Sequence, residues 1–243
     1  MPRESVAKTH RDSPASLRVS VDRAPREQSA IEQFAALESS AVCRHAFIRR
    51  IAGIDVSHDK AEALRRLEAT HRNIRRKIRV GSWPLLTAEQ VHGNKITIVD
   101  RPVGLGRQFA GCDGIITNQR KILLGIHVAD CCAVYIVDPK TPAIGLVHSG
   151  RKGSELGVVS NAITQMSARF GSQPPDLIVQ LSPCIRPPHY EIDFAAKIVE
   201  QCRAKGVREI HDGVCTACHV DLYYSYRAEK GKTGRMLALL GLE

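Results

Sequence analysis

The apolar positions of this chain fall into two patterns, short runs typical of strands and longer stretches with helical spacing. The short runs predict strands at 47–51, 83–90, 95–99, 122–128, 133–137, 143–147, 177–181 and 222–226. Apolar residues at intervals of three and four predict helices over 59–78, 154–170 and 193–205. Strands and helices do not alternate regularly. We therefore expect an α+β fold, a single domain with mixed β-sheets packed against helices.

The first forty residues differ in composition from the rest of the chain. They are rich in Ser, Pro, Arg and Glu and poor in large apolar side chains, as is typical of segments that do not fold alone. We expect a flexible N-terminal arm over 1–40 and the folded catalytic domain over 41–243. The 243 residues, of which 43% are hydrophobic, are enough to bury one sizeable core.

The sequence also bears on the compartment. No stretch approaches the roughly 18 consecutive apolar residues of a membrane helix, and no apolar run of a signal peptide follows the first residues. We expect a cytoplasmic protein with no membrane association, whose eight cysteines stay reduced. Nothing in the sequence indicates an oligomeric state.

The formal charge of +10 favours acidic partners such as phosphate esters or nucleic acid. Much of the excess lies between residues 44 and 80, where eleven Lys or Arg stand against four Asp or Glu. A nucleic-acid surface is one interpretation. The other, which we favour, is a solvated helix face, because the apolar residues of this stretch recur at helical spacing and direct the charges outward.

Three short segments each place one potential metal ligand at or near the end of a predicted strand. His92, Cys131 and His148 lie 39 and 17 residues apart, whereas structural zinc modules pair their ligands locally. Two imidazoles and a thiolate fill three corners of a zinc tetrahedron and leave the fourth open, which indicates catalysis. Taken singly, each residue also fits a role without chemistry, Cys131 as a thiol buried in the core and the histidines as structural or surface residues.

The chain carries six motifs in the order found in one family. They are Gln90-Val91-His92-Gly93, Asp113-Gly114 with Thr117, Ala129-Asp130-Cys131, His148-Ser149-Gly150 with Gly153, Ser182-Pro183-Cys184-Ile185 with Tyr190-Glu191, and Ser225-Tyr226-Arg227 with Thr233-Gly234-Arg235. With these motifs the chain resembles the bacterial laccase-domain family, also called the multicopper polyphenol oxidoreductase or YfiH-like family.

The resemblance implies a YfiH-like α+β domain with zinc bound by His92, Cys131 and His148. It implies phosphorolysis of adenosine, inosine and methylthioadenosine and deamination of adenosine, with purine nucleosides and phosphate as partners. It places Arg50 near the site, so we expect Arg50, Cys131 and His148 to be catalytic and Arg50 also to bind substrate. Zinc would act as a Lewis acid in either reaction.

The loop after His148 departs from the family pattern, which usually reads His-Ala-Gly-Trp-Arg-Gly. Here an arginine, Arg151, replaces the aromatic residue, and Lys152 replaces the arginine. Both cations are candidates for binding phosphate, and a solvated surface role is the equal alternative. Asp130, next to the cysteine, could either fix an imidazole tautomer or cap a turn.

Other functions remain open. A multicopper oxidase is disfavoured because the chain has no His-x-His pair. A metal-free cysteine amidohydrolase would use Cys131 as nucleophile and His148 as base, as in a glutamine-deamidating toxin domain of similar fold, and includes a role in peptidoglycan-precursor editing. His92 has no role in a dyad of Cys131 and His148, whereas a metal site requires it as the third ligand. A third alternative is a non-catalytic protein that binds nucleic acid or another partner.

Overall fold

The computed structural model describes residues 30–243 of the chain. Within them lie the helices α1 Ala35–Glu38, α2 Lys60–Lys77, α3 Arg151–Glu155, α4 Val158–Phe170 and α5 Phe194–Ala204. The strands are β1 Ile31–Glu32, β2 Cys43–Ile48, β3 Leu85–Ala88, β4 Ile96–Val99, β5 Arg107–Phe109, β6 Gly114–Thr117, β7 Leu123–Val128, β8 Cys132–Asp138, β9 Ala143–Ser149, β10 Ile178–Leu181, β11 Glu209–His211 and β12 Met236–Leu242.

The strands form two six-stranded sheets, in the orders β1-β2-β12-β7-β3-β5 and β11-β10-β8-β9-β6-β4. Both sheets mix directions: β12 is antiparallel to β2 and β7, whereas β3 is parallel to β5 and β7. The expected α+β domain with mixed sheets packed against helices is confirmed.

Both faces of the central strands are buried, which explains their continuous apolar runs. In β8, Tyr135 faces the core between the sheets, while its neighbours Val134 and Ile136 pack in the core that includes α4 and α5. In β12, Leu240 faces the first of these cores, and Leu239 packs with Ile74 of α2 on the outer side. The two sheets therefore lie between layers of helix.

The helices begin and bury residues as their sequences predict. The Asp59 carboxylate accepts the Glu62 N–H at 3.0 Å and caps α2. α2 then buries Ala63, Leu67, His71 and Ile74 along one face. The prediction of a helix over 59–78 is confirmed, as is the helix predicted over 193–205, which corresponds to α5.

Two predicted elements differ from the structure. The helix predicted over 154–170 is two helices, α3 and α4, because Gly157 at φ +71° interrupts it. The strand predicted over 222–226 is wrong: these residues form a loop of turns and irregular backbone in which Tyr223 and Tyr224 are buried. The last strand is β12, which pairs between β2 and β7.

The boundary of the predicted arm also differs. Ile31 pairs with Ile48 of β2, and the Phe34 N–H donates to His45 Nε2 at 2.8 Å. Leu37 is fully buried in the core. Residues 31–37, which the sequence assigns to the arm, therefore pack against the folded domain, because these apolar side chains complete the core. Residues 1–29 of the predicted arm lie outside the described residues.

Within the described residues, no helix combines the length and the apolar character needed to cross a membrane.

Candidate active site

The three candidate ligands come together from separate parts of the fold. His92 lies in the loop after β3, Cys131 between β7 and β8, and His148 in β9. One ligand atom from each lies within 4.8 Å of the other two. The Cys131 Sγ is 3.9 Å from His92 Nε2, and the two imidazole rings are nearly perpendicular, with centroids 4.8 Å apart. Among residues 30–243 this is the one group of three or more His, Cys, Asp or Glu that could hold a metal ion.

Asp113, which precedes β6, holds both histidines in place. Its buried carboxylate lies 2.9 Å from His148 Nδ1 and accepts the N–H groups of His92 at 2.8 Å and Gly93 at 2.7 Å. With Nδ1 engaged, the free ring nitrogen of His148 is Nε2. A hydrogen bond of this kind fixes the tautomer of a metal-binding imidazole.

The Asp130 carboxylate accepts its hydrogen bonds from two later loops and not from an imidazole. One of its oxygens accepts from Thr216 Oγ1 at 2.8 Å and the other from the Arg227 N–H at 2.7 Å. Asp130 therefore ties two later loops to the residue next to Cys131, while Asp113 orients the imidazole. The sequence offered Asp113 only as part of a family motif.

The backbone around the ligands is unusual. Gln90, His92 and Asp130 have φ values of +68°, +60° and +82°, a region that residues other than glycine rarely adopt. Gly150 supplies a close approach, since a Cβ at this position would lie 2.6 Å from Cys131 Sγ. Such local constraints concentrate at functional sites.

The site favours a charged thiolate. Burial alone would raise the pKa of Cys131, but hydrogen bonds with His148 and His92 outweigh it and lower this pKa to about 6. Burial would lower the pKa of His148, but the Asp113 and Cys131 partners outweigh it and raise this pKa to about 9. Cys131 is therefore held in the deprotonated form that binds metals and acts as a nucleophile.

The ligands open onto a cavity of about 640 Å³, a size typical of small-molecule sites. Its lining combines aromatic and cationic side chains: Tyr190, Phe194, Tyr226, Lys60, Arg151, Arg227 and Arg235. A lining of this kind suits a ligand with a flat ring and an anionic group.

Of the three predicted substrate-binding residues, one lies at the cavity. Arg151 lines it, with its guanidinium 3.0 Å from Glu155. Lys152 is exposed and is not part of the lining.

Arg50 also lies outside the lining. It binds Glu229 at 2.7 Å and the Tyr223 carbonyl, with its guanidinium 4.5 Å from the centre of the Tyr224 ring. Arg50 therefore braces the segment that carries two cavity arginines.

Sequence reasoning missed three cavity cations. Arg227 and Arg235 end the two segments of the sixth family motif, and membership of that motif was the signal that could have identified them. Lys60 has no motif around it and reaches the cavity only because α2 begins there.

The fold and the site define an α+β protein with a His-Cys-His group at the base of a cationic cavity. The chain belongs to the multi-copper polyphenol oxidoreductase laccase family, whose model matches residues 44–203 and 189–243. The family expected from the motifs is thereby confirmed.

Two relatives carry a more specific name. The chain is 30% identical over 232 residues to purine nucleoside phosphorylase YlmD of Geobacillus stearothermophilus, covering 78% of this chain and 82% of the relative. It is 26% identical over 200 residues to purine nucleoside phosphorylase YlmD of Bacillus subtilis, covering 67% and 71%.

Solved structures support the fold. The crystal structure of YlmD from Geobacillus stearothermophilus matches with a TM-score of 0.76 and 22% identity, covering 88% of this chain and 99% of that one. The Bacillus licheniformis protein YfiH matches with a TM-score of 0.71 and 19% identity, covering 83% and 93%.

Proposed function

We propose that this protein is a zinc-dependent purine nucleoside phosphorylase, a glycosyl transferase acting on adenosine, inosine and methylthioadenosine. Deamination of adenosine, a hydrolase reaction, is proposed as a second activity. The observation that carries the proposal is the grouping of His92, Cys131 and His148 at the base of an aromatic and cationic cavity. Relatives named purine nucleoside phosphorylase support the choice of substrate class.

Zinc fits the donors that the chain provides. Imidazole nitrogen and thiolate are the ligands that zinc takes in proteins, and a three-ligand site leaves one position for substrate or water. Cys131 is held deprotonated, and Asp113 engages the other nitrogen of His148. When bound, zinc would supply the Lewis acidity of the site.

The remaining chemistry falls to the cavity. In phosphorolysis an oxygen of phosphate bonds to the sugar C1′ as the bond from C1′ to the purine nitrogen breaks, and the electron pair leaves on the base, which takes up a proton. The rings of Tyr190, Phe194 and Tyr226 offer surfaces for the purine. The cationic side chains offer hydrogen-bond donors to phosphate.

A cysteine amidohydrolase is the second candidate, because one observation favours it. The low pKa of Cys131 and the raised pKa of the adjacent His148 reproduce the thiolate and imidazolium of a nucleophilic dyad. Peptidoglycan-precursor editing belongs with this alternative. The position of His92, 3.9 Å from the same sulfur, favours the metal instead.

One experiment separates the two candidates. Purified zinc-loaded protein is incubated with each nucleoside and phosphate, and the free base, sugar phosphate and inosine are measured by chromatography. Phosphorolysis that is lost on chelation and in His92→Ala supports the phosphorylase. If the metal-free protein instead hydrolyses amides, and this activity depends on Cys131 but persists in His92→Ala, the cysteine amidohydrolase replaces the phosphorylase as the proposed function.

A further inference from the structure

Two cations of the cavity come from distant parts of the chain. Lys60 is the first residue of α2, and Arg235 directly precedes β12; both line the cavity that contains Cys131. They are close enough to affect each other, since burial and then the charge of Arg235 lower the pKa of Lys60. Burial also lowers the pKa of Arg235. Two like charges thus face one cavity.

The other two cavity cations differ from this pair because carboxylates neutralise them. Arg151 binds Glu155, and Arg227 binds Glu191, each at 3.0 Å. In the part of the chain that the structure describes, Lys60 and Arg235 form no ion pair. No carboxylate of the described residues lies within ion-pairing distance of either side chain, so both remain available to an anion that enters the cavity.

The Arg235 guanidinium is already fixed in position. Its Nη1 donates to the carbonyl oxygens of Thr233 and Gly234, both at 2.8 Å, and the group lies 5.7 Å from the centre of the Tyr226 ring. Nε and Nη2 are left as donors for a ligand. A preorganised fork with a nearby ammonium matches the several oxygens of a phosphate group.

We propose that Lys60 and Arg235 form an oxyanion subsite that holds inorganic phosphate beside the His-Cys-His group. The proposal rests on the proposed function for the role of phosphate as the attacking co-substrate. It assigns phosphate to residues other than Arg50 and Lys152, which the structure places outside the cavity.

The test measures binding of inorganic phosphate to the zinc-loaded protein by titration calorimetry. Lys60→Gln and Arg235→Gln should each weaken phosphate binding by about tenfold or more, as expected for loss of a charge-assisted hydrogen bond. Arg65→Gln is the matched control, because this residue of α2 is exposed and pairs with Glu62. It should bind phosphate as the parent does. Zinc content and melting temperature establish that each variant is folded and loaded.

The outcomes separate this subsite from the proposed function. If the parent shows no phosphorolysis but its phosphate binding depends on Lys60 and Arg235, the subsite stands and the phosphorylase falls. If phosphorolysis occurs but both variants keep the parent's phosphate affinity and KM, the subsite is wrong. Failure of the parent to bind phosphate at millimolar concentration would also overturn it. Should Arg235→Gln fail to fold, Arg235→Lys keeps the positive charge but lacks the paired N–H donors of the guanidinium, and it should still weaken phosphate binding.

Discussion

Asp113→Asn should weaken metal binding, although Asp113 is not itself one of the three candidate ligands. The Asp113 carboxylate accepts three hydrogen bonds between 2.7 and 2.9 Å, from His92, Gly93 and His148. An asparagine in the same rotamer can accept with only one of its two terminal atoms. Whichever way the amide turns, its NH₂ group faces at least one N–H donor.

The magnitude follows from these contacts. One buried donor left without an acceptor costs about 1–3 kcal/mol, and loss of the negative charge weakens the bonds that remain. We expect unfolding free energy to fall by about 2–4 kcal/mol. Because Asp113 fixes the ring of His148 and the loop of His92, metal affinity should fall by about 10–100-fold.

Competition with a chromophoric chelator gives the metal affinity, and urea unfolding gives the stability. Asp138→Asn is the matched control: Asp138 is equally buried, accepts from the Lys140 and Thr141 N–H groups, and lies at the far end of β8 from Cys131. It should leave metal affinity unchanged, and because both N–H groups bond to Oδ1, the asparagine carbonyl can accept both of them. Metal affinity within twofold of the parent in Asp113→Asn, or an equal loss in the control, would refute the orienting role.

Three further predictions concern single side chains. Arg151→Gln should weaken the apparent phosphate affinity in phosphorolysis by about 1 kcal/mol or less with zinc content intact, because Glu155 already neutralises this side chain, and Lys152→Gln should leave it unchanged; a loss as large as that of Lys60→Gln or Arg235→Gln would contradict this. Gly150→Ala puts a methyl carbon 2.6 Å from the ligand sulfur and should reduce bound metal measured by mass spectrometry, unlike Gly104→Ala, where the space is open. Burial lowers the pKa of His45 to about 4 from 6.5, so the unfolded chain binds more protons between these values. The contribution of neutral His45 to the free energy of unfolding, about 3 kcal/mol, is present above pH 6.5 and is lost as pH falls towards 4. The urea midpoint measured between these pH values should therefore fall less steeply in His45→Gln than in the parent, and an equally steep fall would contradict this.

Part of the fold was predictable because local signals and tertiary packing agree. The capping residue Asp59 and the spacing of Leu67, His71 and Ile74 are enough to predict α2. The strand β12 was missed because Met236–Leu242 is rich in Leu, which favours helices, and does not alternate. It is a strand because it completes the sheet between β2 and β7 with both faces buried.

The candidate site divides in the same way. His92, Cys131 and His148 were predictable as a set because metal chemistry restricts the residue types and each sits at a strand end. The role of Asp113 depends on how β6 lies beside β9, which the sequence does not reveal. Lys60 carries no chemical signature, since an exposed-looking lysine at a helix start becomes a cavity residue only through packing.

The metal content of purified protein tests the central claim most directly. Inductively coupled plasma mass spectrometry should find about one zinc per chain in the parent, and loss of that zinc in His92→Ala, Cys131→Ala and His148→Ala. Cys132→Ala, at the neighbouring cysteine that packs into the core with α4 and α5, should keep it. Full zinc retention in all three folded ligand variants would contradict the site.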